Sequence, residues 1–195
     1  MAYPLMPIAG REQLRELGRV RFGWRRDAVM ARFELADRFV TTSADRDNQW
    51  HYELGDTAEW FLQPIGRPYY WEFYATPNGF KSAMRWPGGP RKGVDPWLDP
   101  EAIRVVTGCG SIPFSDTTGN AAAEEAEGWW AEFSIRLELL SSLGDGVGPG
   151  SAWRTLAARY DHAAPRSSNP ELSCYPPLPR ADFHDTDAFA PIRWC

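Results

Sequence analysis

The sequence predicts an all-β fold, namely a two-sheet antiparallel β-sandwich of the jelly-roll kind. Seven or more segments alternate apolar and polar residues with a period of two, which is typical of half-buried strands. Almost no segment has the period of a helix, and residues rich in Gly and Pro separate the strands. The missing helices exclude a parallel βαβ architecture, and the strand spacing favours a sandwich.

Two strands are the clearest. In residues 29–36 and 129–137 every second side chain is apolar, beginning with Val29 and Trp129. The Pro77-Asn78-Gly79 turn predicts a hairpin between two further strands. The full set of predicted strands is 29–36, 57–63, 69–76, 80–86, 103–107, 129–137, 152–160 and 189–194. Loops are expected at 87–100, 108–120 and 162–182.

The length of 195 residues fits a single domain over 1–195, and 43% apolar residues suffice for a core. Residues 1–20 are expected to be a lead-in, with one or two helical turns at 11–17. This lead-in has no apolar run, so it is not a signal peptide, and a cytoplasmic location is expected. No segment is long and apolar enough to be a membrane helix.

The formal net charge of −5 argues against nucleic acid or an anionic membrane as partner, since both usually require a basic surface. The three cysteines, Cys109, Cys174 and Cys195, are odd in number and lack a CxxC spacing. We therefore expect reduced thiols.

Aromatic residues are abundant, with 10 Trp, 7 Tyr and 10 Phe. Ten Trp exceed what a core of this size needs. A Trp at a surface cleft can stack on the apolar face of a sugar, or act in a protein–protein contact. We assign Trp24, Trp60, Trp129 and Trp153 mainly to the core. Trp50, Trp97 and Tyr175 lie in loops and are the candidate platforms.

Glu59 is the main candidate for polar recognition. If Ala58 and Trp60 face the core, Glu59 faces the other side of its strand. A carboxylate suits a sugar because it accepts paired, charge-assisted hydrogen bonds from hydroxyls. The alternatives are a solvated charge or an ion pair with Arg159 on a neighbouring strand. Glu132 has the same alternation but is expected to be a structural ion-pair partner.

Six segments in order carry a family resemblance. They are Trp24 with residues 27–30, the Asp-Thr-Ala-Glu-Trp-Phe-Leu run at 56–62, residues 69–79, the Gly-Trp-Trp-Ala-Glu-Phe-Ser-Ile run at 128–135, residues 153–160 and residues 183–189. Together they resemble the family 9 carbohydrate-binding modules. The resemblance implies a DOMON-like β-sandwich in which two aromatic rings clamp a terminal sugar and a Glu on the concave sheet bonds its hydroxyls. Some members also bind structural calcium.

The sequence departs from this family pattern at the clamp. Glu53 stands where the first clamp Trp is expected, and Trp50 and Tyr52 are the nearest aromatic residues. Tyr175 takes the place of the second clamp Trp, and Tyr74 that of a basic residue. The predicted ligand-binding set is therefore Trp50, Glu59, Tyr74, Arg159 and Tyr175.

The leading hypothesis is non-catalytic carbohydrate binding without a cofactor. The alternatives are a glycoside hydrolase that uses Glu59 and Glu132, and a protein-interaction module. No GxSxG, Walker or dinucleotide-binding motif is present. Residues 45–47 do not begin an EF-hand, because Trp50 occupies the place of the required Gly. A calcium site at the sandwich edge using Asp37, Asp45 or Asp56 remains open, and no metal ligand is assigned.

Overall fold

A computed structural model describes residues 1–8, 13–89, 94–114, 124–163 and 169–194. The strands are β1 (Tyr3–Pro4), β2 (Met6–Pro7), β3 (Gly18–Arg25), β4 (Ala28–Ala36), β5 (Thr57–Pro64), β6 (Tyr70–Ala75), β7 (Lys81–Trp86), β8 (Ile103–Phe114), β9 (Glu124–Arg136), β10 (Ala152–Asp161), β11 (Glu171–Tyr175) and β12 (Ala190–Arg193). One short helix, α1 (Leu137–Leu140), follows β9. Three 3-10 turns cover His51–Glu53, Pro100–Ala102 and Thr186–Ala188.

The strands form two antiparallel sheets, which confirms the predicted β-sandwich. The five-stranded sheet has the order β1-β3-β4-β9-β8. The seven-stranded sheet has the order β2-β11-β10-β5-β6-β7, and β12 pairs with the first half of β10. The strands β5, β6 and β7 at one side of this second sheet are consecutive in the chain, and they carry most of the candidate site.

The main core lies between the two sheets. On β4 the predicted inward residues Val29, Ala31, Phe33 and Leu35 are fully buried. On β9 Trp129, Ala131, Phe133 and Ile135 are equally buried, as are Trp60 and Leu62 on β5. The period-two alternation therefore assigned these side chains to the correct face.

A second apolar layer covers the outer face of the seven-stranded sheet. Phe61, Tyr74 and Leu156 point to this face and are buried there. The layer above them comes from loops, and its buried members are Ile8, Leu178, Phe183 and Phe189. All eight residues of β5 are consequently buried. This second layer accounts for many of the aromatic residues that one core did not need.

Several expected boundaries are wrong. The lead-in is part of the fold, because β1 pairs with β3 and β2 pairs with β11, so the segment links the two sheets. β8 continues to Phe114, and the expected loop at 162–182 contains β11. Leu137 belongs to α1 and not to a strand.

Other expectations concern parts of the chain described only in part. Of the predicted helical turns at 11–17, residues 11–12 lie outside the described residues, and residues 13–17 contain no helix. Cys109 is an exposed free thiol and Cys174 a buried one, while Cys195 lies outside the described residues. Within the described ranges, no helix has the length and apolar character needed to cross a membrane.

Candidate functional site

A cleft of about 270 Å³ opens on the outer face of the seven-stranded sheet. Its floor comes from β5, β6 and β7, and its two sides come from the turn around Trp50 and from the loop at 181–184. The side chains that shape it are mainly aromatic and acidic: Trp50, Tyr52, Glu59, Glu72, Tyr74, Trp86 and His184. A larger groove of about 380 Å³ elsewhere contains no aromatic residue and is lined mostly by exposed or charged side chains such as Arg25 and Lys81. The aromatic cleft is therefore the better candidate for a specific ligand site.

Strand register brings two carboxyl groups to the floor of this cleft. Glu59 on β5 lies opposite Tyr74 on β6, and Phe61 lies opposite Glu72. Glu59 and Glu72 are thus diagonal neighbours on one face, and the Cα atoms of such neighbours are about 7–8 Å apart. Both side chains are only 1% exposed.

Glu72 is held by neighbouring donors. The Tyr74 hydroxyl donates to Glu72 Oε1 at 2.6 Å, and the Trp86 indole N–H donates to Oε2. His184 Nδ1 lies 3.8 Å from Oε2 and 2.8 Å from the Tyr70 hydroxyl. Hydrogen bonds of this kind favour the ionised form of a carboxyl group.

Glu59 has a different environment. No hydrogen bond from any other described residue reaches its carboxyl group, although the side chain is buried and lines the cleft. Burial, together with the negative charge of Glu72, raises the pKa of Glu59 well above its usual range. Burial therefore favours the protonated form of Glu59, and no described residue uses its hydrogen-bonding capacity.

Trp50 forms one side of the mouth and is partly exposed. Its ring stacks on Trp86 with centroids 6.3 Å apart and an interplanar angle of 23°. Trp97, the third predicted platform, contacts Trp50 at 4.6 Å but does not line the cleft. Trp97 therefore supports Trp50. Tyr52 contacts Tyr160 at 5.2 Å, and burial raises the pKa of Tyr52 to about 12, so its hydroxyl remains a donor.

Arg159 and Tyr175 do not belong to this cleft, and their predicted placement is wrong. Arg159 lies opposite Ala58 and so faces the other sheet, where its Nη2 is 3.1 Å from Asp37 Oδ2. Tyr175 also lies on that face, and its ring is 4.4 Å from that of Tyr3. The cleft brings together Trp50, Glu59 and Tyr74, and the loop at 181–184 takes the place expected for Tyr175.

The predicted catalytic pair is also wrong. Glu132 lies on the outer face of the five-stranded sheet, where it pairs with Arg32 at 3.5 Å, as the structural interpretation expected. Glu59 lies on the outer face of the other sheet. The sandwich separates the two carboxyl groups, so they cannot act on one bond.

Glu72 and Trp86 are cleft residues that the sequence reasoning missed. The signal for Glu72 was present, because Tyr70, Glu72 and Tyr74 alternate with Trp71 and Phe73. Trp86 lies opposite Tyr70, and this neighbourhood can be predicted only when the register of the β6–β7 hairpin is known. No local pattern in the sequence marks Trp86 as a cleft residue.

Three aspartates gather away from the cleft, near the sheet edge. Asp37, Asp56 and Asp161 place carboxylate oxygens within 4.8 Å of one another, whereas Asp45 lies apart and bonds Gln49. Ca²⁺ takes six to eight oxygen ligands, and this group does not fit that requirement. Arg159 already lies among the carboxylates, at 3.1 Å from Asp37 and 3.6 Å from Asp161.

Both carboxylate oxygens of Asp56 also have partners within the protein. Its two oxygens accept the backbone N–H groups of Thr41 and His162. Burial and the charge of Asp37 raise the pKa of Asp56 to about 8, despite these donors and Arg159. The cluster is therefore a structural ion-pair network.

Comparison with known proteins identifies the fold. No family model and no curated protein matches the sequence. Among solved structures, the fold is shared with family 9 carbohydrate-binding modules and with a candidate carbohydrate-binding protein.

The candidate carbohydrate-binding protein is from Bacteroides uniformis. It has a TM-score of 0.77 and 15% identity, over 100% of this chain and 86% of that one. A family 9 module from Caldicellulosiruptor kristjanssonii in complex with cellotriose has a TM-score of 0.59 and 13% identity, over 94% and 77%. A family 9 module from the same organism in complex with glucose has a TM-score of 0.60 and 12% identity, over 100% of this chain and 84% of that one. At these identities the likeness shows the fold alone.

Proposed function

We propose that this chain binds a carbohydrate in the cleft between Trp50 and the loop at 181–184. The observation that carries the proposal is the combination of a partly exposed Trp50 ring with a buried Glu59 carboxyl that has no hydrogen bond from the described residues. The solved family 9 modules that share the fold hold cellotriose and glucose, which supports this class of ligand.

The two kinds of side chain suit the two kinds of sugar surface. The C–H face of a pyranose is apolar and stacks on an aromatic ring without needing a hydrogen-bond partner. The hydroxyls lose water on binding and require new partners. Glu59, Glu72 and Tyr52 offer these partners, and Tyr74 positions Glu72 through its hydroxyl.

The decisive experiment compares Trp50→Ala with the parent chain. A glycan array identifies ligands, and titration calorimetry then gives their affinities. We expect Trp50→Ala to weaken binding at least tenfold, because stacking on one ring is lost, while the melting temperature changes little. Trp24→Ala is the control, since Trp24 lines a separate groove with Phe22 and Trp194, and it should bind as the parent does. Absence of any glycan ligand, or equal binding by Trp50→Ala, contradicts the proposal.

A second candidate function is glycoside hydrolysis by Glu59 and Glu72. One observation favours it: Glu59 and Glu72 share one face of the sheet, burial raises the pKa of Glu59, and hydrolysis needs one acid and one carboxylate. Incubation with the oligosaccharides found on the array tests this. Turnover that is lost in both Glu59→Gln and Glu72→Gln would establish hydrolysis, whereas binding without turnover leaves the chain as a binding module.

A further inference from the structure

The groove of about 380 Å³ lies on the outer face of the five-stranded sheet, on the opposite side of the sandwich from the aromatic cleft. Small side chains form its floor, since Ala28 and Ser134 line it and are only 1% and 8% exposed. Longer side chains surround this floor, and they include three arginines from three strands, Arg25, Arg104 and Arg136. The groove is therefore a shallow depression with a guanidinium rim.

Strand register explains why these arginines are close to one another. Arg104 on β8 lies opposite Ser134 on β9, and Arg136 follows Ser134 by two residues, so all three side chains face the same side. Arg25 and Arg136 both lie opposite Ala28, one on each neighbouring strand. Because Ala28 is short, Arg25 extends across β4, and its Nη2 donates to Ser134 Oγ at 3.2 Å. The three arginines are therefore neighbours of one hydroxyl group.

Two cationic side chains of the groove already have a carboxylate partner. Arg25 Nε lies 3.3 Å from Asp27 Oδ1, and Lys81 Nζ donates to Glu101 Oε1 at 2.9 Å. Asp27 and Glu101 are the carboxylates among the described residues that line the groove. These two ion pairs therefore account for both of them.

Arg104 and Arg136 have no such partner. Both are exposed, and neither guanidinium has a hydrogen bond or an ion pair to any other described residue. The groove thus has two uncompensated positive charges, although the formal net charge of the whole chain is −5. Ser134 adds a hydrogen-bond donor, because its oxygen accepts from Arg25 while its own proton has no acceptor among the described residues.

We propose that this groove binds a phosphate group with two negative charges, either free phosphate or the monoester of a small molecule, between Arg104 and Arg136. A guanidinium group presents its donors in a planar fork that matches the oxygens of a phosphate. The Ser134 hydroxyl donates to a further oxygen from below. The volume is in the range of small-molecule sites. This site is separate from the carbohydrate cleft and does not depend on it.

The charge of the ligand gives the inference its specificity. A phosphate monoester carries close to two negative charges above pH 7, which equals the number of arginines without a partner. A sulfate ester has the same tetrahedral shape but only one negative charge. It would leave one guanidinium uncompensated, so the groove should discriminate against it.

The test is a titration of the full chain at pH 8 and low salt, followed by the backbone amide signals of Ser134 and Arg136 in NMR spectra. Phenyl phosphate should shift these signals along a saturating curve, at least fivefold more tightly than phenyl sulfate. Inorganic phosphate distinguishes the two sources. Equal affinity for it shows that free phosphate suffices, and tighter binding of phenyl phosphate indicates an ester.

Arg104→Gln and Arg136→Gln are the informative variants, because both side chains are exposed and their loss should leave the melting temperature nearly unchanged. We expect each to weaken phenyl phosphate binding at least fivefold. Arg154→Gln is the matched control, since it removes the same charge from an exposed arginine of the other sheet. It should bind phenyl phosphate as the parent chain does.

Three results would overturn the inference. One is a linear, unsaturated response to phenyl phosphate at millimolar concentration. Another is equal affinity for phenyl phosphate and phenyl sulfate. The third is a loss in Arg154→Gln as large as in Arg104→Gln, since the attraction would then come from the overall charge of the chain. None of these results bears on the carbohydrate proposal, which the Trp50→Ala comparison tests separately.

Discussion

Glu59 is a residue whose location is unfavourable for folding. A buried carboxyl without hydrogen-bond donors loses hydration that the fold does not replace. Such groups are few in native folds, and each one requires an explanation. Under the proposed function, the ligand supplies the hydrogen-bond partners that the described residues do not offer to Glu59.

The pH dependence of the free energy of unfolding should reveal the unfavourable burial of the Glu59 carboxyl. Because the folded pKa of Glu59 is raised, the folded state keeps a proton that the unfolded chain loses above about pH 4.3. The contribution of Glu59 to stability is full below that pH and falls as pH rises towards the folded pKa. In Glu59→Gln this loss is absent. Urea titrations at pH 5 to 8 measure the free energy of unfolding of this variant and of the parent chain. We expect it to fall with pH less steeply in the variant than in the parent, by up to about 1.4 kcal/mol per pH unit.

The remaining slope has other sources, since Asp56 and Asp161 also have raised pKa values. The comparison should therefore be made between Glu59→Gln and Glu132→Gln, which leaves those groups unchanged. Parallel profiles for the two variants would show that Glu59 is ionised in the free protein.

The direction of a side chain was predictable where the alternation within its own strand shows which face of the sheet is apolar. Alternation placed Trp60 inward and Glu59 outward correctly. It did not place Arg159, because residues 153–160 have apolar side chains on both faces of β10. The pairing of Arg159 with Ala58 fixes its direction, and that pairing joins parts of the chain too distant for local reasoning.

Among the elements, the segment with β1 and β2 differs most from expectation. Leu5 lies between the two short strands and is only 3% exposed, within the main core. Neither strand has a sequence pattern, since each is two residues long and contains Pro. Tertiary contacts alone determine this segment, so the sequence could not reveal it.

Leu5→Ala tests the importance of this segment. We expect a loss of about 2–5 kcal/mol, as for other buried Leu, seen as a lower urea midpoint with an unchanged slope. Met6→Ala is the control, because Met6 is 42% exposed and should change stability by less than about 0.5 kcal/mol. Equal effects of the two variants would mean that the segment detaches before the rest unfolds.

The hairpin of β8 and β9 shows why another element was missed. Gly108 and Pro113 suggested a turn, yet both lie within β8. A Cβ at Gly108 would lie 2.8 Å from the ring of Trp130 on the paired strand. Glycine there makes room for that ring, and the indole in turn lies under the Arg32 guanidinium at 4.5 Å. A residue that permits close packing has the same sequence signature as one that makes a turn.

At the scale of the whole molecule, Arg159 connects the two sheets. Its side chain extends from β10 in the seven-stranded sheet and pairs with Asp37, which follows β4 of the five-stranded sheet. Arg159 is 1% exposed and Asp37 is 3% exposed. Removal of one partner of such a pair leaves a buried charge uncompensated.

Arg159→Met should therefore lower the free energy of unfolding by about 3–5 kcal/mol. Arg154→Met is the matched control on the same strand. Arg154 is more exposed than Arg159, and its Nη1 lies 3.9 Å from Oδ1 of the exposed Asp187, which makes this ion pair long and solvated. Its change should stay within about 0.5 kcal/mol. A loss for Arg159→Met no larger than for Arg154→Met would show that the network contributes little.

Chelation provides a separate test of the same network. Because Arg159 lies among the three aspartates, no metal is needed for charge balance there, and excess EDTA should shift the melting temperature by less than about 2 °C. Each kcal/mol corresponds to roughly 2–4 °C for a domain of this size. A fall of more than about 10 °C would reveal a cation that the fold requires.

The loop layer over the cleft has a consequence for the order of events during synthesis. The ribosome produces β5, β6 and β7, with their two carboxyls, long before residues 178–189 that cover them. Nascent chains begin to fold from the portion already made. Until the later residues emerge, Glu59 and Glu72 face water, where both can ionise at no cost. The cleft is therefore completed only after residues 178–189 have left the ribosome, and a nascent chain that stalls before them would contain β5, β6 and β7 without one side of the cleft.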